Sequence, residues 1–291
     1  MNKQVLCVGR LYCDLIFAGV PRMPTPGTEI FASGLSLHAG GGAFITAAKL
    51  AALGHSTAQA STMPADPFEA VVLSELTSHN ISTNLCCAAQ LDADPQITVA
   101  MTCQDDRAFL TRTSGPAVPD LTAQNMAGFH HLHIGELRTL QDHPTLITAA
   151  RQAGLTISLD CGWQDDFAGG LADLIAGVDV FLPNEAESNA LVSLGIPKHC
   201  APTTVIKCGK GGATARSDRD WITAQTDPVQ VVDATGAGDA FNGGFISEWL
   251  KGSPLGQCLG VGNLLGAATV QAYGGAGGLK DLDAQMFATA Q

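Results

Sequence analysis

Short apolar runs alternate with amphipathic stretches along most of the chain. Val5–Val8 is an apolar run closed by Gly9, and His131–Ile134, Thr156–Leu159, Val178–Leu182 and Thr204–Lys207 repeat the pattern. Runs of this length bounded by turn residues read as buried strands. Phe44–Leu53, Phe68–His79, Thr145–Ala153 and Glu185–Leu194 carry helical spacing between them, with Phe68, Val72 and Leu76 on one face. Strands alternating with helices predict an α/β protein with a mostly parallel central sheet and crossover helices.

Two stretches break this rhythm. Leu15–His38 holds Pro21, Pro24, Pro26 and Gly27 between strand-like runs. Gln96–Arg112 reads as a hairpin, ITVAMT and AFLTR, turning at Asp105–Asp106. Long structureless loops are uncommon in compact domains, so the two pieces are expected to pair into a small separate sheet. The expected division is a core of residues 1–14, 39–94 and 114–291 and a β lid of residues 15–38 and 95–113.

Composition narrows the function. The 291 residues are 46% hydrophobic and 14% charged, too apolar for a disordered chain. Fifteen basic against 27 acidic residues give a net charge of −12. Nucleic acids and anionic membranes need clustered cations, so neither is an expected partner. An anionic substrate needs a local site that overcomes the global repulsion. The apolar start is broken by Arg10 and Asp14 before a secretory h-region forms. The charge-free run between Lys251 and Lys280 carries nine glycines with Pro254, Gln257, Asn263 and Gln271, which favours a tightly packed helix with loops over a membrane span. Nine cysteines without a CxxC pair read as reduced thiols in a cytoplasmic protein, with Cys7, Cys13 and Cys208 as small apolar residues and Cys86–Cys87 structural.

The candidate chemistry sits in Asp233-Ala-Thr-Gly-Ala-Gly-Asp239-Ala-Phe-Asn-Gly-Gly-Phe245. Val229–Val232 reads as a strand entering it, and Phe245, Ile246, Trp249 and Leu250 have helical spacing after it. Gly236–Asp239 is therefore expected at a loop-to-helix junction, where converging N–H groups and the helix dipole make an anion site. A carboxylate there repels a phosphate, so Asp239 either takes a proton from a hydroxyl nucleophile or caps the helix. The segment is not a P-loop, because Gly209-Lys210 lacks both the upstream Gly and a following Ser or Thr. Nor is it a dinucleotide fingerprint, since Phe241 stands where a third glycine is needed.

Asp233–Phe245 resembles the C-terminal signature of the ribokinase (PfkB) family of carbohydrate and nucleoside kinases. Other landmarks resemble the family in order. They are Val8-Gly9-Arg10 with Asp14, Met23-Pro-Thr-Pro-Gly27, Gly40-Gly41-Gly42 leading to Leu53-Gly54, Pro183-Asn184-Glu185-Ala186-Glu187, and Val205 to Ala213. The resemblance implies a ribokinase-like, Rossmann-type three-layer sandwich with a small β-sheet lid. It implies an ATP-dependent kinase for a hydroxyl of a sugar, sugar acid or nucleoside. Asp239 would be the general base, with the N–H groups of Gly236, Ala237, Gly238 and Asp239 as the anion hole. Asn184 and Glu187 would position Mg²⁺ through water. Lys207, Gly209 and Gly212 would lie along the nucleotide, with Asn263 on the adenine side. Asp14, Gly40 and Gly41 would hold substrate hydroxyls. Asp233, the Thr235 carbonyl and the Gly274–Gly278 turn resemble a site for K⁺. Exposed lid edges suit a homodimer through the lid.

The match departs at Ile45, where the family usually has an Asn that contacts a sugar hydroxyl. Either the acceptor lacks that hydroxyl, another side chain supplies the bond, or the acceptor is less polar than a simple sugar. A nucleoside kinase and a non-catalytic sugar or nucleotide sensor are the alternatives. His131 and His133 alternate on one strand face and read as a strand-end pair rather than metal ligands. Glu136 and Asp160 each follow a strand and either face the acceptor or are solvated loop acids. Cys161 shows no neighbouring base that would activate it. Arg107 and Arg112 flank the lid hairpin and either touch substrate or are edge-strand charges.

Overall fold

The computed structural model describes residues 2–103, 106–162, 169–217, 220–272 and 274–276. The chain opens on β1 (Gln4–Val8) and leaves the core for β2 (Tyr12–Ala18) and β3 (Gly34–Gly40). It returns through α1 (Gly42–Ala52), β4 (Ser56–Ala60) and α2 (Glu69–Ser78), then leaves again for β5 (Ile97–Cys103) and β6 (Asp106–Arg112). Strands and helices then alternate: β7 (His131–Ile134), α3 (Leu137–Asp142), α4 (Thr145–Gln152), β8 (Thr156–Asp160), α5 (Leu171–Ala176), β9 (Val180–Leu182), α6 (Glu185–Ser193) and β10 (Thr203–Lys207). β11 (Ala213–Arg216), β12 (Ile222–Ala224), α7 (Ala237–Lys251) and α8 (Leu255–Thr269) complete the described elements.

The central sheet has the order β12-β11-β10-β9-β8-β7-β1-β4, parallel from β10 to β4 and antiparallel at β11 and β12. The period of two along each strand sorts side chains to opposite faces. Leu6, Val8, Leu132, Ile134, Ile157, Leu159 and Phe181 pack with Leu137, Leu146, Leu171 and Leu191 of α3, α4, α5 and α6. On the other face Val5 and Cys7 meet α1 and α2, while Val180, Leu182 and Val205 meet Phe241, Phe245 and Leu259 of α7 and α8. Between those two apolar patches the same face buries His131, His133, Ser158 and Asp160. The result is a three-layer sandwich, as expected.

The second sheet has the order β3-β2-β5-β6. β2 pairs antiparallel with β3 and parallel with β5, and β5 forms the expected antiparallel hairpin with β6. Asp105 of the expected hairpin turn lies outside the described residues. The strands start at Tyr12 and close at Gly40 on one side and span Ile97–Arg112 on the other, so Asp14 is a lid-strand residue.

Two elements differ from expectation. β4 is the sequence STAQA, too polar to register as an apolar run; pairing with β1, Val5 opposite Thr57, makes it a strand. Val229–Val232 is not a strand. Among the described residues the sheet edge ends with β12 at Ala224, so Val229, Val231 and Val232 have no ladder beside them there and stay 37–59% exposed. The N–H groups of Val232 and Asp233 both turn to the Val270 carbonyl instead. Among the described residues no helix is long and apolar enough to cross a membrane.

Candidate active site

The site is organised by the turn that starts α7. Gly236 is left-handed at φ 72°, a conformation that suits glycine. Before it, the Asp233 carboxylate accepts the Thr235 N–H at 2.9 Å and the Gly274 N–H at 3.2 Å, tying two turns together. The N–H groups of Gly238 and Asp239 then stand in the first helical turn without intrahelical acceptors, at the positive end of the dipole. Ala237 makes a long 3.4 Å bond back to Ala234.

Gly236 is the N-cap, with no side-chain cap bond, so Asp239 does not cap the helix. Its carboxylate instead faces the start of α1. A Cβ on Gly42 would stand 2.5 Å from its Oδ1 and 3.0 Å from the Gly135 carbonyl. Burial, then the negative charge of Asp160, pushes the Asp239 carboxyl up to about 7 against the pull of Lys207. That range suits a group that must take a proton at neutral pH.

Lys207 ends β10 under this turn. Its ammonium donates to both Asp160 oxygens at 2.9 and 3.0 Å and to Asn242 Oδ1 at 3.2 Å. Asn242 Nδ2 closes the triangle to Asp160 at 2.6 Å. A Cβ on Gly238 would stand 3.4 Å from the ammonium, which therefore lies against the start of α7. Burial works against its charge, but Asp160, Glu187 and Asp239 outweigh it and raise its pKa. Asp160 is thus the counter-ion of Lys207 and not a solvated loop acid. Asn242 escaped the sequence reading, although it lies three residues beyond Asp239 and shares its helix face.

Asn184 and Glu187 form a capping box at the start of α6. Asn184 Oδ1 accepts the Glu187 N–H at 2.9 Å, and Glu187 Oε2 accepts the Asn184 N–H at 2.8 Å. Glu187 is 5% exposed, and burial, then Asp160, raises its pKa to about 7. Three carboxylates, Asp160, Glu187 and Asp239, thus share one ammonium. The surplus negative charge and the second oxygen of Glu187 suit a hard, hydrated divalent cation.

On the lid side, a side chain on Gly40 would overlap the Asp14 carboxylate, so glycine lets Asp14 sit there. Burial raises the Asp14 pKa to about 7, opposed by a hydrogen bond with Thr98. His38 stands opposite Asp14 across the β2–β3 pair, and its Nδ1 meets Glu75 Oε1 of α2 at 3.0 Å. That bond raises the His38 pKa. A side chain on Gly41 would overlap the Arg10 carbonyl. The Arg10 guanidinium donates to Gln96, Ser114 and Gly115. Glu136 Oε1 accepts from the Arg10 N–H at 3.3 Å and the Thr139 hydroxyl at 2.7 Å, at the start of α3.

Gly209, Gly212 and Asn263 form a separate group beyond β10. Asn263 Nδ2 donates to the Ala224 and Gln225 carbonyls at 3.0 and 3.2 Å, and a side chain on Gly212 would overlap the same Ala224 carbonyl. Lys207 is not part of that group.

The remaining candidates fall away from the site. Ser158 Oγ joins His131 Nε2 at 2.8 Å to His133 Nδ1 at 2.9 Å inside the sheet. Burial lowers both histidine pKa values to about 3. Cys161 is buried and burial raises its thiol pKa. Arg112 pairs with Asp94 at 2.5 Å on the exposed lid edge, while the Arg107 side chain lies outside the described residues. Ile45 instead packs against Gly236 and Gly275, next to the turn that opens α7.

A family model for pfkB family carbohydrate kinases matches residues 2–282. The chain is 30% identical over 133 residues to an uncharacterized sugar kinase of Archaeoglobus fulgidus, covering 43% of this chain and 53% of that protein. It is 33% identical over 92 residues to fructoselysine 6-kinase of Escherichia coli strain K12, covering 32% and 35%. The matches therefore span about half or less of these relatives' own length. The ribokinase of Cryptococcus neoformans var. grubii serotype A, solved in complex with ADP, superposes with a TM-score of 0.82 at 19% identity, covering 99% of this chain and 100% of that one. That likeness makes the fold ribokinase-like.

Proposed function

This chain belongs to the pfkB family of carbohydrate kinases, and we propose that it transfers the γ-phosphoryl group of ATP to a hydroxyl of a sugar or sugar-like acceptor. One observation carries the reading: the half-buried Asp239 carboxylate stands in the first turn of a glycine-led helix, close to the ammonium of Lys207. The Gly236–Asp239 turn offers N–H groups to a phosphoryl group. Asp239 offers a base to the acceptor.

In this reading Asp14, Gly40 and Gly41 hold acceptor hydroxyls, and Asp239 accepts the proton of the reacting one. The new bond forms from that oxygen to the γ-phosphorus, the bond to the β-phosphate oxygen breaks, and ADP leaves. Gly238, Asp239 and Lys207 meet the charge on the transferring group. Catalysis of this kind is mostly positioning and electrostatics, because the transition state is loose. Asn184 and Glu187 would hold Mg²⁺ through water, which supplies charge neutralisation on the phosphates. Gly209, Gly212 and Asn263 line the nucleotide.

Leu15, Phe17, Leu35, Leu37, Val99, Met101 and Leu110 share one lid face by register, with Leu35 55% and Leu110 70% exposed. An apolar face of this kind suits a second copy of the chain, and sedimentation velocity reads the mass directly.

The kinase reading is tested by ADP release from Mg²⁺-ATP against pools of sugars, sugar acids and nucleosides. One pool should give turnover, and Asp239→Asn should lower it by about 10²–10⁴ with the melting temperature kept. ATP binding without turnover on any pool would favour a non-catalytic sensor.

A further inference from the structure

One face of α1 is spent on the turn that opens α7. Gly42, Ile45, Thr46 and Lys49 recur at i, i+3, i+4 and i+7 and so form one stripe. Gly42 abuts the Asp239 carboxylate, and Thr46 Oγ1 donates to the Asp239 carbonyl at 3.1 Å. Ile45 Cδ1 fills the seam between two turns: it would lie 2.9 Å from a Cβ on Gly236 and 2.5 Å from one on Gly275. Lys49 completes the stripe. Its stem runs along Gly243 of α7, its ammonium donates to the Ala276 carbonyl at 3.3 Å, and the residue is wholly buried.

The family resemblance puts a monovalent cation at this turn, at Asp233 and Thr235. Gly277 and Gly278 of that turn lie outside the described residues, and the described ones do not fit a cation. Each Asp233 oxygen is turned to a backbone N–H, of Thr235 and of Gly274, which leaves only its remaining lone pair for another partner. The Ala276 carbonyl accepts the Lys49 ammonium, and an apolar side chain occupies the seam. An ammonium bonded to the turn also repels a second cation.

We infer that α1 braces the anion hole from within: Ile45 and Lys49 are positioning residues that hold the Gly274–Ala276 turn against Gly236, and phosphoryl transfer proceeds without a bound monovalent cation. The inference rests on the kinase reading above. Burial lowers the Lys49 pKa to about 8, which leaves the ammonium charged at neutral pH.

The test compares initial rates and melting temperatures in KCl, NaCl and choline chloride at one ionic strength. The wild type should behave alike in all three. Lys49→Met should lose on the order of tenfold in rate, the scale of one buried charged hydrogen bond, and KCl but not choline should restore it and raise the melting temperature. Lys49→Arg should keep the wild-type behaviour. A saturable rise of wild-type rate or melting temperature with K⁺ over choline would overturn the inference, as would a Lys49→Met protein as active as wild type in choline. Should Lys49→Met fail to fold, the wild-type comparison decides. Absence of turnover with every acceptor sinks the kinase reading instead, and the melting comparison still decides the brace.

Discussion

Leu132, Ile134, Ile157 and Leu159 alternate along β7 and β8 with His131, His133, Ser158 and Asp160, and all eight are buried. The first set packs on leucines of α3 to α6, where each side chain contributes about 1.5–3 kcal/mol by leaving water. The second set lies under α7, where each polar group costs stability unless it finds a partner. Ser158 bridges His131 and His133, with His133 Nε2 left without a partner among the described residues, and Asp160 takes both Lys207 and Asn242. Apolar contact is non-directional and sets stability. Hydrogen bonds are directional and fix where the start of α7 sits relative to β8 and β10. The same two strands therefore carry a stabilising face and a positioning face.

Breaking the positioning face should have the largest effect. Asp160→Ala leaves the Lys207 ammonium buried without its carboxylate, and should cost about 3–5 kcal/mol in urea unfolding along with most of the turnover. The double variant Asp160→Leu with Lys207→Met removes both charges and should recover much of that stability but not the turnover. Recovery of both would mean that the pair serves packing alone.

Ile157→Ala, on the stabilising face, should cost about 2–5 kcal/mol in the same unfolding experiment. Its kcat at a temperature well below melting should stay at the wild-type level. A lowered kcat there would show that the two faces are not separable.

A pH–rate profile sharpens the comparison, because the ionisable groups lie on the positioning face alone. Asp239 must be deprotonated to take the acceptor proton, and its pKa is raised to about 7 by burial and Asp160. The rate should therefore rise with pH through about 7 and fall by about tenfold per unit below it. A profile flat between pH 5.5 and 8, values that bracket the expected midpoint by about a unit or more, would remove Asp239 from the base role.

The smallest effect is expected at His133. Its Nε2 has no partner among the described residues, while Ser158 keeps a second bond to His131. His133→Leu should change stability by no more than about 1 kcal/mol in either direction, since a lost bond is offset by a lost orphan.

Much of the local structure was legible in the residues. The apolar run His131–Ile134 is β7 to the residue, and Thr145–Ala153 and Glu185–Leu194 end one residue beyond α4 and α6. The Asn184–Glu187 pair spans three residues, so its capping box follows from spacing. The helix start at Gly236–Asp239 was likewise readable from small residues leading into an apolar period. Val229–Val232 misled because three valines in four residues look like a strand, while among the described residues no strand pairs with them.

The sequence by itself determined the alternation of strands and helices, the acidic surface and a glycine-led turn with a carboxylate on it, because each depends on residues within about one helical turn of one another. Only the tertiary structure decided the partners. Lys207 meets Asp160 across 47 residues and Asn242 across 35, and Lys49 reaches Ala276 across 227. Parallel strands joined by crossover helices bring distant strand ends to one edge, and which side chains meet there depends on strand order and register. Ile45 shows the consequence: read along the chain it stands where a family Asn contacts a sugar hydroxyl, and in three dimensions it packs between Gly236 and Gly275, far away in sequence.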